Sequence, residues 1–275
     1  MQANLDNVML SIGRSLVNGK IQFPDYIRRL KFDVGLSKDA VQSLHWLRTD
    51  PELAVIGFEP LQENISAVLK IVDREDRSLN LSARFIILPV ALADFEGEHE
   101  FYVTDDDAGS SSLFKPVSHK LRSVTKVRTT TLEKVLRYVE LDKYKRIDFL
   151  KTDCQGADFR VILGAGDLIT KFAVVTVEAD SQGYEDSDDN SEYNFDNYMT
   201  KYGFVRINPR TELRKEIGKV FSRSKIVDQL YRLFKTQFPV VSPLYPLLEV
   251  DDPTYVNQID LELVKNGRVT AYQRG

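Results

Sequence analysis

The sequence predicts an α/β fold built on a mostly parallel sheet, and two observations carry the prediction. From residue 30 onward, short apolar runs alternate with longer amphipathic stretches, the texture of repeated strand–helix–strand units. Two of those runs, ending at Asp33-x-Gly35 and at Asp153 to Gly156, pass through a glycine-bearing turn into a helical pattern.

Taken in order, strands are expected over 30–35, 54–59, 84–90, 147–153 and 172–179. Helices are expected between them over 39–48, 61–72, 132–139 and 157–163. An extra strand at 101–103 would pair with 124–128, and 204–207 and 260–264 read as further short strands. The chain divides into a helical leader over 1–29, a core over 30–208 and a distinct segment over 209–275. That last segment combines a basic amphipathic helix at 210–235, a loop broken by Pro239, Pro243 and Pro246, and the expected final strand.

Composition sets outer bounds. In 275 residues, 43% are hydrophobic and 28% charged, a globular balance that excludes a disordered or collagen-like chain. Lys and Arg number 37 against 41 Asp and Glu, a net charge of −4, so no global field draws the protein to nucleic acid. Cys154 is the single cysteine, which excludes an intramolecular disulfide and a Cys-rich zinc site. A reducing, cytoplasmic setting fits, and the start of the chain lacks the pattern of a signal peptide.

Three motifs carry chemistry. In KFDVGLS, Asp33 and Gly35 close the first core strand, where open α/β sheets bind ligands. Gly35 permits a sharp turn, and Ser37 is placed to cap the next helix. An ordinary strand-to-helix turn explains the same residues. In GFEP, Glu59 ends the second strand 26 residues after Asp33, where a carboxylate can accept hydrogen bonds from both hydroxyls of a ribose. The plain alternative is a surface glutamate. Asp39 and the missing GxGxxG disfavour a pyrophosphate, so an adenosine cofactor without phosphates, such as S-adenosylmethionine, suits the pocket better. In FLKTDCQGAD, Lys151 and Asp153 lie two apart on one strand and share a face, and Glu178 ends the next strand beside them. The alternative there is a strand-end ion pair.

At these residues the chain resembles the FkbM-type S-adenosylmethionine-dependent methyltransferases. The ordered pieces are FDVG at 32–35, FEP at 58–60, ALAD at 91–94, GSSSL at 109–113, TTLEKV at 130–135, KTDCQGAD at 151–158 and VEAD at 177–180. They span roughly two thirds of the chain, and their order is more specific than any one of them. The resemblance implies a class I methyltransferase fold, Rossmann-like, with a mostly parallel seven-stranded sheet and helices on both faces. It further implies that Asp33 and Gly35 border the methionine part of the cofactor, that Glu59 holds the ribose, that Leu92, Ala93 and Asp94 lie near the adenine, and that Leu36, Ser37 and Pro60 belong to the same cofactor-binding set. The chain departs from the family's usual form in DVGLSKD, with Asp39 for a glycine, and in KTDCQGAD, with Gln155 and Asp158 where glutamates are common. It looks like a branch with DVGLS and QGAD motifs.

The expected activity is transfer of a methyl group to a hydroxyl of a carbohydrate or glycoconjugate. The alternatives are a non-sugar small-molecule acceptor, or a methyltransferase-like scaffold without turnover. Asp153 is the first candidate for general base, positioned by Lys151, and Glu178 is the second. Lys151 itself would serve only if burial lowered its pKa, which Asp153 opposes. His45, His99 and His119 read as packed or solvent-facing side chains. Asp153, Asp158 and Glu178 have the donor chemistry for magnesium or calcium, but nothing in their spacing demands a metal, and none is expected. The acidic stretches at 105–107 and 186–189 read as solvated loops. The basic helix at 210–235 reads as a solvated face, a substrate-recognition element or a peripheral contact with anionic lipid.

Overall fold

The computed structural model describes residues 16–105, 108–144, 146–179, 182–207 and 254–257. The chain enters through a small hairpin, β1 (Leu16–Val17) and β2 (Lys20–Ile21), turned by Asn18 and Gly19 at positive φ. Asn-Gly is the pair best suited to such a tight turn, because both central residues need left-handed backbone. The helical leader expected over 1–29 is therefore replaced by a hairpin in 16–21, and its first fifteen residues lie outside the described ones. The hairpin is anchored: the Ile21 amide donates to the Tyr138 carbonyl at 2.8 Å, and Ile21, Phe23 and Ile27 enter the core.

The core then alternates as the sequence predicts. β3 (Arg29–Val34) leads through α1 (Val41–Thr49) to β4 (Leu53–Phe58), α2 (Gln62–Leu79), the single turn α3 (Leu81–Arg84) and β5 (Phe85–Leu88). A side sheet follows, made of β6 (Ala91–Leu92), β7 (Gly97–Thr104) and β8 (Leu121–Thr130) in the order β6-β8-β7. The chain returns through α4 (Leu132–Leu136), β9 (Ile147–Thr152), α5 (Asp158–Leu163), β10 (Phe172–Thr176), α6 (Glu192–Lys201), β11 (Phe204–Ile207) and β12 (Thr254–Asn257).

Among the described residues the main sheet runs β11-β12-β10-β9-β3-β4-β5. Five neighbours, β10, β9, β3, β4 and β5, are parallel, and β12 is antiparallel to both β10 and β11. The side-sheet pair is longer than the 101–103 and 124–128 of the sequence reading, because β8 is exposed over much of its length and shows no apolar alternation there. The helix expected over 210–235 and the strand over 260–264 lie outside the described residues.

Helices cover both faces. On one face, Leu44 and Leu47 of α1 and Ile65, Val68 and Val72 of α2 pack on Val55 and Phe149. On the other, Leu132, Val135, Val161, Ile162, Phe195 and Met199 of α4, α5 and α6 pack around Phe32, Phe58 and Phe172. The Phe32 ring meets Phe172 edge-on at 5.4 Å. Each such fully buried side chain contributes about 1.5–3 kcal/mol. At the sheet's far end, the buried Arg84 guanidinium donates to the carbonyls of Leu47, Asp50, Leu53 and Leu79. It ties α1, β4 and α2 together at the edge opposite the ligand-binding ends of the strands.

Candidate active site

The carboxyl ends of β3, β4 and β9 open into one cavity of about 290 Å³. β3 lies between β4 and β9, so the chain leaves it in one direction and later returns on its other side. That reversal leaves a crevice above the central strands. Gly35 makes the floor possible. Its φ is +85°, and a Cβ there would sit 2.0 Å from the Asp153 carbonyl oxygen, so the β3 and β9 turns touch backbone to backbone.

Glu59 forms one wall. Its Oε2 accepts the Ser37 amide at 3.0 Å and its Oε1 accepts the Leu61 amide at 2.9 Å. Burial pushes this carboxyl up to about 6, against the hydrogen bonds from Leu61, Asn64 and Ser37. Three donors leave one carboxylate lone pair for a ligand hydroxyl. Ser37 is thus a backbone donor to Glu59; the residue preceding α1 is Ala40, in left-handed conformation, and no side chain caps the helix.

The opposite end is acidic. Asp153 lines the cavity, and its Oδ2 accepts the Lys151 ammonium at 3.2 Å. Lys151 also faces the buried Asp33, whose Oδ1 lies 3.6 Å from Nζ and whose Oδ2 accepts the Ser43 hydroxyl at 2.6 Å. Burial opposes the Lys151 charge, but Asp33 and Asp153 outweigh it and hold its pKa above the ordinary value. The two carboxylates therefore hold Lys151 in its cationic form. Burial raises the Asp153 carboxyl, yet Lys151 and a hydrogen bond from Gln155 prevail and hold it below the ordinary carboxylate value. Burial raises Asp33 despite Lys151. Asp158 is fully buried and raised by that burial to about 7; both its oxygens turn to the Cys154 amide, away from the cavity.

The candidate cofactor set divides. Gly35, Ser37, Glu59, Pro60 and Leu92 line the cavity. Asp33 lies beneath it, and Leu36 packs in the core against Gly57. Ala93 is buried and donates its amide to the Thr130 carbonyl, while Asp94 pairs with Arg160 at 3.3 Å. Of the candidate catalytic residues, Asp153 faces the cavity, Lys151 supports it, and Glu178 Oε2 accepts the Gln155 amide at 2.7 Å. Asp180, at the end of the same motif, lies outside the described residues.

The stretch at 186–189, expected to be a solvated loop, is only partly so. Tyr184, Ser187 and Asn190 are buried, and the charged residues between them face out or pair, Asp189 with Arg160 at 2.9 Å. The segment joins residues 115–117 as one lip over the cleft: Glu185 donates its amide to the Lys115 carbonyl and Val117 its amide to the Gly183 carbonyl. Ser112 fastens the lip below, its hydroxyl donating to the Gln155 carbonyl at 2.7 Å and accepting the Phe114 amide at 3.0 Å. Tyr184 and Asn190 are residues around the site that sequence reasoning missed, because their polar types amid charged neighbours gave no periodic signal. Ser112 and Gln155 stood in recognisable motifs, GSSSL and KTDCQGAD.

Among the described residues no cluster of three His, Cys, Asp or Glu side chains is arranged to hold a metal ion. No helix among them is long and apolar enough to cross a membrane.

No curated protein matches the sequence. Solved structures similar to it include the methyltransferase FkbM of Methylobacillus flagellatus, at 14% identity and a TM-score of 0.43, covering 64% of this chain and 38% of that one. They also include the O-methyltransferase from a trans-AT PKS multienzyme of Brevibacillus brevis in complex with S-adenosyl-L-homocysteine, at 12% identity and a TM-score of 0.35, covering 86% and 73%. A third is a SAM-dependent methyltransferase from Thiobacillus denitrificans in complex with S-adenosyl-L-homocysteine, at 8% identity and a TM-score of 0.31, covering 93% and 97%. The chain thus spans well under half the length of the first of these. The sequence model described as the methyltransferase FkbM domain matches residues 33–206, from the aspartate beneath the cleft to β11, and the chain belongs to that family.

Proposed function

We propose that the protein is an S-adenosylmethionine-dependent O-methyltransferase whose acceptor is a hydroxyl of a carbohydrate or glycoconjugate. One observation carries the reading: a single cavity has the buried Glu59 carboxylate on one wall and the Asp153 carboxylate on another. The first suits a ribose diol and the second an acceptor hydroxyl.

The residues present fit the cofactor. Glu59 is a buried carboxylate fixed by two amides, Leu92 and Val90 offer apolar surface for a purine, and Gly35, bare of a Cβ, lets the β3 and β9 turns close against each other to form the floor. When bound, the cofactor supplies a methyl group on a positively charged sulfur, so the leaving group departs neutral and needs no acid. The protein's work is alignment and proton removal. Asp153, steadied by Lys151, would accept a hydrogen bond from the acceptor hydroxyl and orient its oxygen. The cofactor would supply the methyl carbon to that oxygen as its own carbon–sulfur bond breaks, and Asp153 would take the hydroxyl proton and pass it to solvent. Neutral hydroxyl donors suit a cavity end lined with carboxylates, whereas an anionic acceptor would be repelled.

Calorimetric titration with S-adenosylhomocysteine, with NAD as control and Glu59→Ala alongside, tests the cofactor half. Micromolar binding lost in the variant is expected; absence of binding by the wild type would overturn the reading. Transfer of labelled methyl groups to a panel of sugars and non-sugar alcohols then tests the acceptor class, and labelling confined to the non-sugar compounds would overturn it.

A further inference from the structure

Glu59 has too few free lone pairs to hold a ribose diol by itself. A carboxylate offers about four lone-pair positions. The Ser37 amide, the Leu61 amide and the Asn64 side chain take three of them. A vicinal diol brings two hydroxyl hydrogens, and the remaining lone pair receives one of them well. Forcing both hydroxyls onto it would give two bent, weak contacts. The second hydroxyl therefore needs another acceptor, since a hydroxyl left unpaired in a buried site weakens binding.

Asn64 stands where that acceptor is needed. It lies in the first turn of α2 and lines the same cavity as Glu59. Its neighbours Ile65 and Val68 on that helix enter the core, whereas Asn64, only 5% exposed, borders the cavity. A buried amide is costly unless its polar atoms are used. Its nitrogen is used: the side chain donates to Glu59. The oxygen cannot make that contact, because it would face a carboxylate. Holding the nitrogen on Glu59 therefore turns the amide oxygen, on the other arm of the same planar group, away from that carboxylate.

We propose that Asn64 is a second ribose-recognising residue of the cleft: Glu59 and the Asn64 amide oxygen each accept one hydroxyl of the diol, while the Asn64 nitrogen holds Glu59 in place. The inference rests on the reading of the cavity as an S-adenosylmethionine site. The two residues are coupled. Without the Asn64 donor, Glu59 keeps two hydrogen bonds against the same burial, so its carboxyl moves further up and gives up its charge nearer neutral pH. The turn after β3 meets Glu59 with the Ser37 amide. From α2, Glu63 opposes its charge and is itself paired with Arg122 of β8. Asp153 and Cys154, after β9, line the same cavity.

The test is a cycle of ligand analogues against variants, read by calorimetry on the full chain at pH 7.5. The ligands are S-adenosylhomocysteine and its two monodeoxy analogues, each lacking one ribose hydroxyl. In the wild type, removal of either hydroxyl is expected to weaken binding about tenfold. In Asn64→Ala, one analogue should bind within about twofold of the parent ligand, while the other keeps its penalty of about tenfold. Alanine is the better helix former, and Asn64→Leu, close to asparagine in shape, serves as the second variant should the first fail to fold. Carboxyl-carbon NMR of the unliganded protein, with Glu59→Gln assigning the signal, should show Glu59 titrating higher in either variant than in the wild type. An asparagine that only packs would move neither readout.

Full penalties for both analogues in the folded variants would overturn the proposal, as would a wild type indifferent to one hydroxyl or a Glu59 titration that stays in place. Failure of the wild type to bind S-adenosylhomocysteine would remove the cofactor reading and this role together. Intact binding without the selective loss removes the role of Asn64 alone.

Discussion

The Ser37 amide donates to Glu59 Oε2 at 3.0 Å, and this bond joins the turn after β3 to the end of β4. Two turns 22 residues apart are thereby fixed around one carboxylate, which is buried and yet faces the cavity. Its ionisation then governs both ligand affinity and stability.

Glu59 gives opposite pH trends for the two. With its pKa at about 6, the carboxylate is largely protonated at pH 5, so affinity for S-adenosylhomocysteine should fall about tenfold between pH 7.5 and pH 5. Glu59→Gln should weaken binding at pH 7.5 by tenfold or more and flatten that dependence, as calorimetry at several pH values would show. Stability runs the other way. The folded value lies above the ordinary 4.5, so this group's contribution is complete below pH 4.5 and is lost as pH rises through 6. The full loss is about 2 kcal/mol, of which about 1.2 kcal/mol falls between pH 5 and pH 8, and denaturant titration of the unliganded protein at those two values measures it together with the parallel, burial-driven trend of Asp158.

Gly35→Ala should be severe. The new methyl would strike the Asp153 carbonyl, and the φ of +85° is unfavourable for alanine. A loss of more than about 2 kcal/mol is expected, together with loss of S-adenosylhomocysteine binding. Retained binding with an unchanged melting temperature would contradict the backbone contact between the two turns.

Arg84→Met separates stability from function. Four carbonyls, two of them fully buried, lose their donor, at a cost of about 3 kcal/mol. Because Arg84 lies at the end of the sheet away from the cavity, the folded fraction should bind S-adenosylhomocysteine with wild-type affinity. Urea denaturation and calorimetry below the transition test the two halves.

Ser112→Ala should loosen the lip. The Gln155 carbonyl and the Phe114 amide each lose a partner, at a cost of about 1–2 kcal/mol. Hydrogen exchange is expected to quicken at Phe114 and at the neighbouring residues of the lip, while β3 and β4 remain protected. Unchanged exchange at Phe114 would show that the serine does not fasten the loop.

The strands and helices that build the cleft were legible in the sequence because their signals are local. Phe32, Ile56 and Leu150 stand in apolar runs, and Ile65, Val68 and Val72 recur at helical spacing. Glycine and acidic residues at strand ends marked Asp33, Gly35, Glu59 and Asp153 as neighbours, since a parallel sheet brings the carboxyl ends of its strands to one side. The hairpin at 16–21 was misread as helix, although Asn18-Gly19 carried a turn signal, because the alternating apolar residues around it also fit an amphipathic helix.

The sequence by itself determined the α/β alternation, the family and the side of the sheet on which the chemistry sits. Tertiary structure alone decided that Lys151 is a fixed cation between Asp33 and Asp153, that Leu36, Ala93 and Asp94 turn away from the cavity, and that Tyr184 reaches Gln155. Strands and helices follow from residue periodicity along the chain, which any stretch carries within itself. Charge states and hydrogen-bond partners depend on which distant residues burial forces together, Tyr184 with Gln155 across 29 positions and Ser112 with Gln155 across 43, and no local pattern encodes that distance.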